Sequence, residues 1–380
     1  MKFIFGRPID EPFDREEEIK ALNELISRNQ PTAVLGIRRI GKTSIILNVL
    51  KNQNIPKIYI NVEDFIEGKS IDIIGLFSYF SSSLLSEAIK FMEPRKRIPI
   101  VLKEKGEEAI KTLRELLGYI KINFNINLGK VEIFLDSTKK GGIKDSLKDL
   151  LDLPQEISEN INKKILIVLD EFQYLKLGEQ NFPGLFHSLR SKWQFQNNVE
   201  YVISGSAVGM LENIFKKNQP FYQFFFPIYI KPFCKDKSEE FLSEGFQDEG
   251  KTFLEDGIKK AVEYLDGIPA WLNYFGIKSV LECRTIDEKC ANKVIEDIYK
   301  DPVIQVIIKD EYNKLGKNAR KILKFIANKG GEGNLRGIEL SRSSINEGIK
   351  SLFNEGYIER KDRGVYRIID PIMSKIVTML

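Results

Sequence analysis

The eight residues GIRRIGKT at positions 36–43 constrain this chain more than any others, and they follow directly on the apolar run Ala33-Val34-Leu35. They satisfy the pattern G-x-x-x-x-G-K-[ST]. Its glycines let successive backbone N–H groups turn toward one anion. Lys42 can reach the β- and γ-phosphates of a nucleotide, and the Thr43 hydroxyl can ligate Mg²⁺. The segment TSIILNVLKN (43–52) has helical apolar spacing and directs the positive end of its dipole at the same phosphates. The expected cradle comprises Gly36, Ile37, Arg38, Arg39, Ile40, Gly41, Lys42, Thr43 and Ser44. The plainer reading, a strand followed by a basic exposed turn, leaves the paired glycines unexplained.

A phosphate cradle calls for acidic residues farther along the chain. In KKILIVLDEFQYL (163–175), the apolar residues Ile165 to Leu169 precede Asp170 and Glu171. A continuous apolar run reads as a fully buried parallel strand, and ligands lie at the carboxyl ends of such strands. Asp170 is therefore expected in the Mg²⁺ shell with Thr43. Glu171 is expected to polarise an attacking water, and Lys42 completes the catalytic set. The other reading is a strand closed by a solvated acidic turn. A third strand, within VEYVISGSAVGML (199–211), ends at Ser204, Gly205 and Ser206. Ser204 and Ser206 are candidate sensors of the γ-phosphate or the water, unless the turn is there only for its glycine. ATP or ADP with Mg²⁺ are the cofactors this pattern calls for.

Other chemistries are excluded by what the sequence lacks. The single histidine, His187, argues against histidine-based metal catalysis and against Ser-His-Asp chemistry. His187 itself reads as a helix-packing residue. Cys234, Cys283 and Cys290 form no C-x-x-C pair, which argues against structural zinc and for a reducing, cytoplasmic setting. No stretch reaches 18 consecutive apolar residues, so a membrane span is not expected. The start, MKFIFGRPIDEPFD, turns acidic too soon for a signal peptide.

With 380 residues, the chain has room for two or three domains. Strands at about 32–36, 57–62, 165–169, 200–205 and 227–231 alternate with helices, with Asp64 just past the second strand. This predicts an α/β fold with a P-loop parallel-sheet core over 1–234. Residues 95–150 read as an insertion. Alternation at Ile122, Phe124, Ile126 and Leu128, a turn at Gly129-Lys130, and Val131 and Ile133 beyond it predict a hairpin. Such an insertion is a candidate site for protein partners. Residues 235–302 read as an all-helical lid, and 303–380 as a winged helix.

In a winged helix, the helix beginning near Ser341 enters the DNA major groove and the wing touches backbone or minor groove. Arg342, Ser343, Ser344, Asn346 and Lys350 lie on that helix, and Arg360, Lys361 and Arg363 surround the wing turn. Residues 301–380 hold 15 Lys/Arg against 10 Asp/Glu, a modest excess of +5 (15 − 10). The domain is equally readable as a protein-binding or autoinhibitory module.

The segments FDREEEIKAL (13–22), GIRRIGKTS (36–44), LIVLDEFQYL (166–175), ISGSAVGML (203–211) and DGIPAWL (266–272) together resemble the archaeal ATPase family. This is a branch of the AAA+/STAND P-loop ATPases related to origin-recognition and initiator proteins. The resemblance spans about residues 10–300. It implies that Phe13 and Arg15 lie near the adenine base and that Pro269 packs there from the lid. Read from the residues alone, Asp14 is a helix N-cap with Glu16, Glu17 and Glu18 in the first turn, and Pro269 opens a helix. Two departures stand out. Gln223 and Phe224 occupy the place of the family's Gly-Arg pair, and the tail lacks a nucleotide-sensing histidine. An arginine finger supplies about 10³–10⁵ in rate, so slow turnover is expected. Arg38 and Arg39 are either substitutes for it, or partners of the carboxylates Asp170 and Glu171, or part of the domain interface.

These readings converge on a nucleotide-controlled switch with ATPase activity. Its alternatives are a DNA-binding regulator in which nucleotide only sets conformation and a scaffold with structural ADP. A small single-domain kinase is disfavoured by the lid and tail.

Overall fold

The computed structural model describes residues 2–92, 123–127, 130–134 and 142–380. At its centre is a five-stranded sheet of β1 (Thr32–Leu35), β2 (Lys57–Asn61), β3 (Ile165–Asp170), β4 (Val199–Gly205) and β5 (Phe226–Tyr229). The spatial order is β2-β3-β4-β1-β5, with every pairing parallel. Strands β1, β3 and β4 are buried at every position, as continuous apolar runs require when helices cover both faces.

One face carries α1 (Glu16–Ser27) and α2 (Lys42–Asn52), joined to the sheet through Leu22, Ile45, Val49, Val168 and Val202. The other carries α3 (Ile73–Lys90), α4 (Gly142–Ile161) and α5 (Leu185–Trp193), with Phe172, Trp193 and Phe221 at the centre of an aromatic cluster. Phe224, which stands where the family resemblance places an arginine, belongs to that cluster and lies beneath the Arg190 guanidinium. The short helix α6 (Val208–Phe215) follows β4.

Asp14 does not cap α1. The helix starts one residue later than the capping reading requires, with Arg15 at the N-cap position and no side-chain cap. Asp14 instead adopts φ +53°. His187 is exposed on α5, so the packing role expected of it is wrong. The buried face of that helix is Leu185, Phe186, Leu189 and Trp193. The predicted hairpin forms between Asn123–Asn127 and Lys130–Phe134, with Phe124 opposite Ile133 and Ile126 opposite Val131. Ile122, Leu128 and Gly129 lie outside the described residues, as do 95–121 and 135–141 of the expected insertion.

The segment expected to form the lid comprises α7 (Lys235–Asp248), α8 (Glu255–Leu265), α9 (Pro269–Glu282) and α10 (Glu288–Lys300). It is not purely helical. Thr252–Phe253 and Thr285–Ile286 form a short parallel ribbon, favoured by their β-branched and aromatic side chains. Cys283 and Cys290 are joined in a disulfide that brackets this ribbon, contrary to the expectation of reduced thiols, and Cys234 is free and exposed. Their separation of seven residues resembles no metal spacing and gave no hint of pairing.

The C-terminal segment runs α11 (Pro302–Lys314), α12 (Lys317–Ala327), β6 (Glu332–Asn334), α13 (Arg342–Asn354), β7 (Ile358–Asp362), β8 (Val365–Ile368) and α14 (Pro371–Val377). Its antiparallel sheet has the order β6-β8-β7. This is the order of elements expected of a winged helix. Ser341 caps α13 by accepting from Ser344 N–H at 3.2 Å. One apolar cluster runs from the lid through this segment.

Candidate nucleotide site

The turn between β1 and α2 is shaped by backbone demands. Gly41 has φ +94° and Arg39 has φ +66°. A Cβ on Gly36 would lie 2.7 Å from the Ile230 carbonyl oxygen, so only glycine lets β1 pass that close. Lys42 opens α2 and is 5 % exposed. Its Nζ donates to the Gly36 and Ile37 carbonyls at 3.0 and 3.1 Å. Burial lowers its pKa, opposed by the charges of Glu171 and Asp170.

Strand order brings the acidic end of β3 to this turn. Thr43 Oγ1 donates to Asp170 Oδ2 at 2.9 Å, and Tyr59 Oη on β2 donates to the same oxygen at 2.6 Å. Burial, and then the Asp170 charge, push the Tyr59 hydroxyl far up, which keeps it a donor. Asp170 Oδ1 accepts from Ser204 Oγ and from Glu171 N–H. Four donors thus converge on one carboxylate, from β2, β4, α2 and the residue that follows β3. Glu171 leaves the strand with φ +51°. Its Oε2 accepts from Ser206 Oγ at 2.8 Å and Ser206 N–H at 3.2 Å. Gln173 Nε2 donates to it as well.

The two candidate sensors therefore each hold one of the two acidic residues. This follows from β4 lying between β1 and β3. Tyr59 and Gln173 had no signal in the sequence, because their positions become meaningful only once β2 and β4 are known to flank β3.

The remaining cradle residues have other neighbours. Ser44 Oγ accepts from Ile9 N–H at 3.0 Å, tying the N-terminal segment to α2. Ile40 is buried in the apolar cluster under α2, and Ile37 packs at its edge. Arg38 donates to the Glu355 carbonyl at 2.7 Å, with its guanidinium 4.6 Å above the Tyr357 ring. Arg39 pairs with Glu311 and with Asp370 at 2.9 Å, and lies 4.8 Å over Trp271. Both arginines thus reach the C-terminal segment, the interface alternative of the sequence reading.

Arg15 is 4 % exposed and donates to the Lys231 carbonyl at 2.9 Å. Phe13 packs edge-on against Phe233 and Phe241 of the lid. Pro269 is the first residue of α9. Phe13 thus joins the N-terminal segment to the lid, and Ala270 N–H beside Pro269 donates to the Arg39 carbonyl of the P-loop at 3.3 Å.

The pair of oxygens at Thr43 and Asp170 suits Mg²⁺, a hard cation bound through one or two protein oxygens together with substrate phosphates and water. Away from this centre, Arg342, Lys350, Lys361 and Arg363 are exposed. Lys361 pairs with Glu359 at 2.7 Å, and Ser344 Oγ accepts from Ser341 Oγ within the helix cap.

A parallel sheet of this order, with a glycine-lysine turn after β1 and an acidic pair after β3, defines a P-loop ATPase fold of the AAA+ type. The chain belongs to the family described as an ATPase domain predominantly from Archaea, whose model matches residues 13–275. Among solved structures it is similar to the Walker-type ATPase PABY2304 of Pyrococcus abyssi, at 23 % identity, 98 % of each chain covered and TM-score 0.67. It is also similar to the Aeropyrum pernix ORC2 protein in its ADPNP–ADP complexes, at 13 % identity, 99 % and 96 % covered, TM-score 0.51. Among curated proteins, no sequence relative matches. No helix of the described residues is long and apolar enough to cross a membrane.

Proposed function

We propose that the protein is a Mg²⁺-dependent ATPase that works as a nucleotide-controlled switch. The observation that carries this reading is the convergence of Thr43, Tyr59 and Ser204 on Asp170, with Glu171 fixed one residue farther on. The backbone N–H groups of the P-loop and the start of α2 receive the phosphates. Lys42 exchanges the carbonyls of Gly36 and Ile37 for phosphate oxygens. Thr43 and Asp170 hold the metal, which when bound neutralises charge on the phosphate oxygens. Glu171 orients the water and takes its proton. Phe13, Arg15 and Pro269 support the base side of the pocket from the N-terminal segment and lid.

The switch reading rests on Arg38 and Arg39. They connect the phosphate turn directly to Glu355, Tyr357, Glu311 and Asp370, so a turn reshaped by nucleotide alters contacts to the C-terminal winged helix. The exposed amino-terminal half of α13 and the wing favour double-stranded DNA as partner, contacted by Arg342, Ser344, Lys350, Lys361 and Arg363. The insertion at 95–150 is the candidate surface for protein partners.

Single-turnover hydrolysis with Mg-ATP tests the chemistry. Lys42→Ala is expected to lose nucleotide binding. Glu171→Gln is expected to bind normally and hydrolyse about 10²-fold more slowly. Unchanged hydrolysis in Glu171→Gln removes the assigned base, and retained affinity in Lys42→Ala removes the cradle. A duplex-DNA mobility shift that weakens with salt, and is lost in the Arg342→Ala/Lys361→Ala double variant, is the expected result for the winged helix. No shift at low salt rejects it.

A further inference from the structure

The Glu171 carboxylate is anchored through one oxygen. Oε2 takes three donors, namely Ser206 N–H, Ser206 Oγ and Gln173 Nε2, while among the described residues Oε1 accepts none. Two of these donors come from the turn after β4. The third comes from Gln173, a residue outside the expected site.

Gln173 is 3 % exposed. Its Nε2 also lies 3.4 Å from Ser206 Oγ, so the amide sits between the acid and the serine that share it. Its Oε1 is buried and accepts no hydrogen bond. That oxygen fills the space above Gly205, where a Cβ would lie 2.1 Å away. A buried unpaired carbonyl is destabilising, and an apolar side chain of similar length would avoid that loss. Turning the amide over gives no relief, because Oε1 would then face Glu171 Oε2, acceptor against acceptor. The amide is therefore held in one orientation by the need for its donor. A local loss of this kind marks a position where function, not packing, chose the residue.

We propose that Gln173 is the positioning residue for Glu171. Its Nε2, with the two donors of Ser206, fixes Oε2 and the plane of the carboxylate, leaving Oε1 to accept from the attacking water. The inference rests on Glu171 being the base.

The test is single-turnover hydrolysis and Mg-ATP affinity for Gln173→Met, Gln173→Glu, Glu171→Gln and the Gln173→Met/Glu171→Gln double variant. Gln173→Met is expected to slow hydrolysis about tenfold with affinity within about twofold of wild type. In the double variant, the second change is expected to cost nothing beyond Glu171→Gln alone, because the group it positions is gone. Gln173→Glu keeps the shape, places a second carboxylate against Glu171 and is expected to be slower than Gln173→Met. It carries the test if the methionine variant does not fold. A wild-type rate in the Gln173 variants overturns the proposal. So does a tenfold loss that persists on top of Glu171→Gln, or a loss of affinity in step with rate, since both describe a merely structural residue. If Glu171→Gln itself hydrolyses like wild type, the base assignment fails and this inference falls with it. If Glu171→Gln is slow and Gln173→Met is normal, only this inference falls.

Discussion

Glu200 enters β4 opposite Leu166, with both carboxylate oxygens buried and unpaired. Burial pushes its pKa up to about 8, opposed only by the Lys164 charge. In the unfolded chain a glutamate titrates near 4.3. Between these values the unfolded state has released its proton and the folded state has not. Stability therefore falls as pH rises through that window and levels off above it. Glu200→Gln abolishes the titration. Denaturant unfolding at pH 5 and pH 8 is expected to show the wild type losing on the order of a few kcal/mol that the glutamine variant keeps. Equal pH dependence in the two proteins would mean that Glu200 is ionised in the fold. At this scale the sequence showed the groups whose chemistry is tied to a strand end or a glycine turn: Gly36, Gly41, Lys42, Thr43, Asp170 and Glu171. It did not show Tyr59, Gln173 or Glu200, whose surroundings are set by strand order and by what covers them.

Elements were more legible than their ends. Apolar runs marked β1 and β3 to within a residue, and β4 was placed equally well although Glu200 and Ser204 interrupt its apolar pattern, because both faces of all three strands are buried. The capping residue Ser341 marked the start of α13. The two-residue ribbon in the lid is too short to have a period, and the cystine beside it was obscured by an odd cysteine count. That cystine links the residue after α9 to the first turn of α10 across a separation of seven residues. In the chain-entropy account a loop of that size stabilises by about 2–3 kcal/mol. Cys290→Ser is expected to lower the stability of the lid by a similar amount, read as a lower denaturation midpoint that reductant does not shift further. A midpoint unchanged by the substitution would mean that the bridge adds no constraint.

The whole molecule is held together at the P-loop. Arg39 reaches Glu311 on α11 and Asp370 at the start of α14, and Trp271 of the lid donates to the same Asp370 at 3.0 Å. Core, lid and C-terminal segment thus meet on one guanidinium. Arg39→Asn removes that group while suiting the left-handed backbone there. Hydrogen exchange is expected to accelerate in α11 and α14 and to stay slow in β3 and β4. Unchanged exchange in α11 and α14 would assign the docking to apolar contact alone.

A second junction lies nearby, where α13 ends. A Cβ on Gly209 would lie 2.5 Å from the Phe353 carbonyl oxygen, and one on Gly356 would lie 2.8 Å from that of Ser206. Asn213 bonds Asn354 at 2.8 Å across the same seam. With no slack at that seam, the carboxyl end of α13 and the turn after it bear on the Ser206 loop that grips Glu171, while Arg342 and Ser343 at its start are exposed. A shift of that helix end would therefore press on the loop that holds Glu171.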